Sequence, residues 1–329
     1  MKRLWGMKMK KIFGLILLML LTAGMMVGCS DATDEGKEKQ RTNHAQHKAF
    51  PITIKDATGE KITIEQKPKK IVSLIPSNTE VVFALGLGKK VIGVSDNDNY
   101  PEETKEIEKV GGMEMNTELI VSMKPDLVLA HASSAHNSNE GLQQLKDAGI
   151  DVLVVNDAQS FDQVYESIEM IGQATGEHDK AKEIVADMKT KLKDIQEKAK
   201  SVKEEDRKTV LVEVSPSPEI YTPGKNTFMN EMLNIISADN AAAELDGWAK
   251  IDEESMIAAN PDVIITTYGY YTKDSVSEVT ARKGWQDVNA VKNDQVFDVH
   301  SDLVTRSGPR LIEGVEELAK SVYPNLFDN

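Results

Sequence analysis

The chain has 329 residues, a net charge of −14 at pH 7 and a single cysteine. Such an acidic chain is repelled by nucleic acid and by anionic membrane surfaces, which excludes both as principal partners. A lone cysteine cannot form an internal disulfide, so its sulfur is either a free thiol or a modified one.

The first 28 residues have the pattern of a cleaved export signal. Five cations and no acid precede an apolar stretch that ends at Gly28. A basic head, a short apolar middle and a small-residue exit are typical of a signal peptide, and a membrane span needs about 20 apolar residues. Removing the five cations from the net charge of −14 leaves −19 for the mature chain.

Cys29 follows this signal directly. Gly28-Cys29 resembles the bacterial lipobox, in which the chain is cut before the cysteine and the sulfur is diacylated; the alternative is an ordinary secreted protein with an incidental thiol. Residues 29–50 are polar and predict a flexible tether. His44 and His47 lie in this tether, where polar filler is the simpler interpretation than a metal site.

From residue 51 onward, short apolar strands alternate with helical patterns, which predicts an α/β fold with mainly parallel sheets. A hairpin is predicted around Asp56-Ala57-Thr58-Gly59. Ser160 and Gln163 fit a capping box at the start of a helix over 161–171, and a further helix is predicted over 142–148. The predicted core strands cover residues 71–75, 91–94, 127–130, 152–155, 210–214 and 296–299.

A long helical stretch divides this alternation into two halves. Residues 178–202 contain no glycine or proline, and their apolar residues recur at the spacing of three and four that marks one buried stripe. We predict a connecting helix over 178–204, between an N-terminal lobe of residues 51–177 and a C-terminal lobe of residues 205–329. Such a stiff connection predicts little movement between the lobes.

The two halves share a repeat. Glu118 stands seven residues before Pro125-Asp126, and Glu254 stands seven residues before Pro261-Asp262. In both places the Pro-Asp pair opens an apolar strand. The repeat predicts two similar lobes with a ligand cleft between them.

No arrangement of residues in the sequence predicts catalysis. The chain lacks a cysteine nucleophile beyond Cys29, a G-x-S-x-G elbow, a phosphate-binding glycine loop and a paired H-E-x-x-H motif. We therefore predict that it is not an enzyme. Direct zinc or manganese capture through His131, His136 and His300 remains an open alternative.

Four stretches of the sequence resemble one known family. They are residues 71–80 (IVSLIPSNTE), residues 116–128 with their Asn-Thr-Glu and Lys-Pro-Asp, residues 222–225 (TPGK) and residues 302–310 (DLVTRSGPR). In this order they resemble the rigid-helix substrate-binding proteins of ABC importers for vitamin B12, ferric siderophores and haem, and most closely the vitamin B12-binding members.

The resemblance implies a binding protein that hands its cargo to a permease dimer and its ATPase. In this family one glutamate on each lobe pairs with permease arginines, and the matching positions are Glu118 and Glu254. Attachment through Cys29 would place the chain on the outer face of the cytoplasmic membrane, and we expect a monomer that meets the membrane only through its lipid. Glu80 is interpreted as part of a capping box with Ser77.

The ligand implied by the resemblance is a metal chelate, with no resident cofactor or metal. A corrinoid is favoured over a ferric siderophore or haem. Trp248 matches one aromatic residue that lines the cleft of the vitamin B12-binding members. Asn97 and Val214 occupy positions where those members have other aromatic residues. Tyr268, Tyr271 and Arg310 are further candidates for the cleft. The predicted ligand contacts are Trp248, Arg306, Asp302, Met113, His131, Tyr100 and Tyr270.

Overall fold

The computed structural model describes residues 50–135 and 137–327, all within one compact unit that spans His47–Asn329. The predicted signal peptide, the lipid attachment site Cys29, the tether histidines and His136 lie outside the described residues. Within the described ranges, no helix is long and apolar enough to cross a membrane.

The N-terminal lobe is built on a parallel sheet of five strands in the order β5-β4-β3-β6-β7. An antiparallel hairpin, β1 and β2, precedes it and confirms the predicted turn. The strands are β1 (Ile52–Lys55), β2 (Lys61–Ile64), β3 (Ile71–Ser73), β4 (Val91–Val94), β5 (Glu108–Lys109), β6 (Leu127–His131) and β7 (Asp151–Val155). The helices are α1 (Pro76–Ala84), α2 (Thr117–Met123), α3 (Ala132–Ala135), α4 (Asn139–Asp147) and α5 (Phe161–Thr175), with short 3-10 turns at Gly88–Lys90 and Glu102–Glu106.

The C-terminal lobe repeats this plan with a parallel sheet of four strands in the order β10-β8-β12-β13 and an antiparallel pair, β9 and β11. Its strands are β8 (Thr209–Glu213), β9 (Tyr221–Pro223), β10 (Asp239–Asn240), β11 (Trp248–Lys250), β12 (Val263–Thr266) and β13 (Val296–Asp298). Its helices are α7 (Phe228–Ile235), α8 (Glu253–Ala259), α9 (Ser275–Thr280), α10 (Asn289–Lys292), α11 (Ser301–Thr305), α12 (Leu311–Val322) and α13 (Pro324–Phe327).

The predicted long helix is present as α6 (His178–Ala199), a helix of 22 residues between the two sheets in the chain. It ends slightly before the predicted limit, and a 3-10 turn at Glu204–Asp206 leads to β8. Its buried stripe consists of Ala181, Val185, Met188, Ile195 and Ala199. This stripe packs on α5 of the first lobe and on α7 and α12 of the second.

A single hydrophobic core cluster runs through both lobes. Alternate residues of each central strand point into it: Leu127 and Leu129 of β6, and Val210 and Val212 of β8. The intervening residues, such as Val128, fill separate clusters on the outer face of each sheet. Both faces of each parallel sheet are therefore covered, which explains why its strands read as continuous apolar runs.

The sequence repeat corresponds to a structural repeat. Helices α2 and α8 each have seven residues, and each ends in a residue with left-handed backbone, Lys124 and Asn260. The aspartate of each Pro-Asp pair then accepts backbone N–H bonds from the start of the neighbouring strand: Asp126 from Lys69 and Lys70, and Asp262 from Thr209. The same local device therefore positions β6 beside β3 and β12 beside β8.

The predicted capping box at Ser77 and Glu80 is wrong. Helix α1 begins at Pro76, its N-cap is Ile75, and no side chain caps it. Proline fits the first helical position because its missing N–H would have no partner there. Glu80 is buried instead and bonds to the other lobe, as described below. At Ser160 the predicted cap is confirmed, since its hydroxyl accepts the N–H of Gln163.

Candidate functional site

A cavity of about 310 Å³ lies between the lobes. Most of its walls come from residues at or after the carboxyl ends of strands, which form the natural ligand edge of an α/β sheet. The N-terminal lobe contributes the segments at the ends of β3, β6 and β7, and the C-terminal lobe contributes the ends of β8 and α11 and the starts of α7 and β11. The lining residues are Ile75, Pro76, Ser77, His131, Ser133, Asp157, Gln159, Val214, Phe228, Trp248, Thr305, Arg306 and Ser307.

The C-terminal wall of this cleft is aromatic. Trp248 begins β11 and is 36% exposed, while Phe228 begins α7 and is buried. Their ring centroids are 5.7 Å apart with an angle of 64° between the planes, the favourable edge-to-face arrangement. Thr227 caps α7 by accepting the N–H of Asn230, which holds Phe228 in place. Phe228 thus supports Trp248 and leaves part of the indole free for a ligand.

His131 ends β6 on the N-terminal wall and is buried. Its Nδ1 lies 2.8 Å from the Ser133 hydroxyl and accepts the Ser133 N–H at 3.3 Å. Burial lowers the pKa of His131, although the charge of Asp157 and a backbone hydrogen bond at Asn156 oppose this shift. The cleft therefore presents a neutral imidazole rather than a cation at neutral pH.

On one side of the cleft the two lobes are connected by a network of six residues, called here the inter-lobe network: Glu80, Asn99, Tyr100, Asp302, Arg306 and Arg310. Its centre is Glu80, whose side chain is only 2% exposed. Arg310 donates to it through Nε at 2.9 Å and Nη2 at 2.7 Å, and Arg306 donates through Nη1 at 2.9 Å. Burial disfavours the charge of Arg310, but its hydrogen bonds to Glu80 and the charge of that carboxylate raise its pKa.

The same network engages the loop that follows β4. Arg306 donates to the Asn99 side chain at 2.8 Å and to the Asn97 carbonyl at 3.3 Å, and it pairs with Asp302 at 2.9 Å. The loop itself is held by Asp98, which accepts both the N–H and the hydroxyl of Ser95. Burial raises the pKa of Asp98, and the bonds to Ser95 oppose this shift.

A second buried ion pair stabilises the C-terminal lobe behind the cleft. Arg282 donates to Glu213 through both terminal nitrogens, at 2.7 and 2.9 Å. Tyr268 is fully buried and donates its hydroxyl to Glu213 at 3.0 Å. The prediction that Tyr268 lies in the cleft is therefore wrong, because its side chain is buried and outside the cavity lining. Glu213 immediately precedes the cleft residue Val214, so this pair positions the end of β8.

The structure brings three of the seven predicted ligand contacts into the cavity lining: Trp248, His131 and Arg306. Asp302 lies beside Arg306 in the inter-lobe network, and Tyr100 lies 3.7 Å from the Arg310 guanidinium, ring centroid to carbon. Met113 and Tyr270 are 95% and 68% exposed and lie outside the cavity lining. Tyr270 packs edge-on against Tyr271, also exposed, with 4.7 Å between the ring centroids.

Sequence reasoning missed Phe228, Asp157, Gln159 and the role of Glu80. For Asp157 and Gln159 a signal existed, because both directly follow the predicted strand β7 at the ligand edge of the sheet. Phe228 carried no such signal, since an aromatic residue at the start of a helix is ordinary core composition. Glu80 was misread because its partners lie 226 and 230 residues away.

Glu118 and Glu254 lie in the first turns of the twin helices α2 and α8, and both are exposed. The N-cap side chains are Asn116 and Asp252, which accept the N–H groups of Leu119 and Ser255. Over residues 50–135 and 137–327, neither glutamate side chain forms an ion pair. Each lobe therefore presents one uncompensated carboxylate at an equivalent position.

Residues 71–303, about seven tenths of the chain, match the profile of a family described as periplasmic binding proteins. The chain belongs to this periplasmic binding protein family. Over 97% of its length it is 56% identical to YvrC of Bacillus subtilis (strain 168), an uncharacterized ABC transporter substrate-binding lipoprotein, 99% of which is covered. It is also 28% identical to a cobalamin-binding protein of Halobacterium salinarum, over 84% of this chain and 75% of that one.

Among solved structures, a possible iron-binding (periplasmic solute-binding) protein of Staphylococcus epidermidis is similar to this one with a TM-score of 0.70 and 40% identity. The similarity covers 78% of this chain and all of that one. As a member of this family the chain is an ABC transporter substrate-binding protein and not an enzyme. The two-lobed α/β architecture predicted from the sequence is confirmed.

Proposed function

We propose that this protein captures a bulky metal chelate, with a corrinoid favoured, and delivers it to an ABC permease dimer and its ATPase. The observation that carries the proposal is the cleft itself, where the partly exposed Trp248, packed against Phe228, lies in one cavity with Ile75, Pro76 and Val214. An apolar wall with a stacking indole suits a large flat macrocycle better than a small hydrophilic solute.

A ferric siderophore or haem in the same cleft is the first alternative. The name of the Halobacterium salinarum relative supports a corrinoid, whereas that of the Staphylococcus epidermidis structure supports an iron compound. Direct zinc or manganese capture is more distant. Among the described residues no three His, Cys, Asp or Glu side chains are grouped for a metal ion, and His131 Nδ1 is engaged by Ser133.

Tryptophan fluorescence of the exported protein tests the ligand class. Trp5 leaves with the signal peptide, and Trp285 is fully buried, so Trp248 is the cleft reporter. We expect saturable quenching by cobalamin or cobinamide, and none by ferric hydroxamates, ferric catecholates or haem. Trp248→Phe keeps a ring in the wall but should remove the signal. Quenching by one of the iron compounds alone would identify that compound, and not a corrinoid, as the ligand. Absence of quenching by every compound tested would reject a metal chelate as the ligand.

We also propose that Cys29 carries a lipid that holds the protein on the outer face of the cytoplasmic membrane. Its position after Gly28 and the lipoprotein name of the 56% identical relative support this. Cys29→Ser should release the protein into the medium and abolish incorporation of labelled palmitate. Retention of the variant in the membrane fraction would count against the anchor.

Docking to the permease is assigned to Glu118 and Glu254. Two equivalent exposed carboxylates, one on each lobe, suit a partner with two similar halves. The alternative is that each glutamate only interacts with its helix dipole, which contributes about 0.3–1 kcal/mol. The charge-reversal experiment given in the Discussion separates the two roles.

A further inference from the structure

Two arginines line or adjoin the cleft, and both donate hydrogen bonds to the buried carboxylate of Glu80. Arg306 is in the cavity lining, and its terminal nitrogens carry four N–H groups. These have four acceptors in the protein: Glu80 and Asn99 for Nη1, and Asp302 and the Asn97 carbonyl for Nη2. An anionic ligand could bind these groups only by displacing partners that the protein already supplies.

Arg310 is paired with the same carboxylate. Its Nε and Nη2 donate to the two oxygens of Glu80, and its guanidinium carbon lies 3.7 Å from the centre of the Tyr100 ring. The carboxylates of Glu80 and Asp302 therefore match the two guanidinium charges. Drawing Arg306 away from Glu80 would leave a buried carboxylate with one partner fewer, which is costly.

The remaining ionisable groups of the cavity lining add no positive charge. His131 is neutral because its burial lowers its pKa, and Asp157 contributes a carboxylate. Among the described residues that line the cavity, none is a lysine. The ligand edge of this cleft is thus neutral to slightly acidic, although it contains an arginine.

We infer that the cleft selects neutral or cationic chelates over anionic ones, and that Glu80 is the residue that determines this selection. The inference rests on the proposed function, since it specifies the charge class of the metal chelate. Glu80 acts by cancelling arginine charge that would otherwise attract carboxylate or catecholate groups. In the sequence alone, Arg306 and Arg310 suggest a preference for anionic chelates. Their pairing with Glu80 and Asp302 removes that preference.

Two series of probes test this selection with the exported full-length protein. The first is cyanocobalamin against a derivative in which one peripheral amide is hydrolysed to a carboxylate, a change of charge at nearly constant shape. The second is ferrioxamine B, which is cationic, against its neutral N-acetyl and anionic N-succinyl derivatives. The wild-type protein should bind the anionic member of the series that it recognises at least about tenfold more weakly than the neutral one at low salt.

Three variants test whether Glu80 and Asp302 cause the charge selection. Glu80→Gln should raise the affinity for the anionic member relative to the neutral one by about tenfold or more, and added salt should reduce this change. Asp302→Asn, which leaves Glu80 and its buried bonds in place, should shift the ratio in the same direction. Glu177→Gln is the matched control, because Glu177 pairs with Lys67 at the other end of α5 and its removal should leave the ratio unchanged.

The outcomes separate this inference from the proposed function. Tightest binding of the anionic member by the wild-type protein would overturn the charge selection while leaving a metal chelate as the ligand. An unchanged ratio in both folded variants, Glu80→Gln and Asp302→Asn, would overturn the role of Glu80. If the folded protein binds no member of either series, the proposed function fails and the inference fails with it.

Discussion

Glu80 and Arg310 lie in different lobes, yet their side chains form a two-point ion pair, with Oε2 to Nε at 2.9 Å and Oε1 to Nη2 at 2.7 Å. Arg306 shares the same carboxylate. Apart from this network, a further bond crosses between the lobes where Glu231 accepts the N–H of Phe161, at 2.8 Å. The lobes are therefore joined beside the cleft as well as through α6.

The first prediction concerns the stability of this connection. Glu80→Ala removes the acceptor of two poorly exposed guanidinium groups, so the free energy of unfolding should fall by about 3–5 kcal/mol. Denaturant titration measures the loss, and small-angle scattering should show a larger radius of gyration as the lobes separate. The surface pair of Glu177 with Lys67 is the control, and Glu177→Ala should cost less than about 1 kcal/mol. Equal losses in the two variants would mean that Glu80 does not join the lobes.

The second prediction concerns the contact between the connecting helix and the first lobe. A Cβ placed on Gly172 of α5 would lie 2.4 Å from the Ala181 side chain of α6, so Gly172→Ala must push the helices apart. We expect a loss of about 1–3 kcal/mol in the free energy of unfolding. Gly141→Ala is the matched helical control. Its new methyl would meet mainly the flexible end of Met115, so thermal unfolding of this variant should change little.

The third prediction tests the proposed docking pair. If the two glutamates pair with arginines of the permease, as the family resemblance implies, Glu118→Lys combined with Glu254→Lys should reduce uptake by at least about tenfold, because the reversed charges would repel those arginines. Ligand affinity, measured by fluorescence, should change less than about twofold. Glu140→Lys with Glu313→Lys is the matched control, since these acids also occupy the first turn of a helix, one in each lobe. Normal uptake by the variant with Glu118→Lys and Glu254→Lys would show that both glutamates interact only with their helix dipoles.

The fourth prediction follows from the lowered pKa of His131. Between its ordinary value of 6.5 and its lower folded value, the unfolded chain binds a proton that the folded protein excludes. The contribution of His131 to the free energy of unfolding is therefore fully present above pH 6.5. It falls as the pH drops below that value, by at most about 1.4 kcal/mol per pH unit. His131→Gln should remove that part of the decline.

Asp98 and Asp151, whose pKa values burial raises, act in the opposite direction at lower pH. They are present in both proteins, so the difference between the two stability profiles isolates His131. Identical slopes between pH 6.5 and 5 would show that the imidazole charges as readily in the folded state as in the unfolded one.

Local patterns predicted most of the fold. The apolar runs located most of the strands but not the short strands β5, β9, β10 and β11. The hairpin turn at Asp56 was correct, and the predicted buried stripe of α6 is present. These features could be predicted because a strand or helix is specified by residues within a few positions of one another. The repeat of glutamate and Pro-Asp was equally accessible, since each copy acts through its own helix and the strand that follows.

The site was only partly predictable. Trp248, His131 and Arg306 were predicted and do line the cleft, whereas Phe228 and Asp157 were not recognised. Tyr268 was predicted as a further candidate for the cleft, but its buried side chain donates its hydroxyl to Glu213. Which way a side chain points after a strand depends on partners that lie far away in the chain, and no local pattern records them.

The sequence by itself determined the alternation of strands and helices, the connecting helix and the repeat that contains the twin glutamates, because each depends on periodicity or on short motifs. The class of protein came from the resemblance of four sequence stretches to a known family. Only the tertiary structure decided what the charged residues of the cleft do. The charges of Arg306 and Arg310 attract anions in isolation, and they are compensated here only because folding brings Glu80 to them from more than 200 residues away. Electrostatic complementarity depends on distance in space, so it is established only when the two lobes come together.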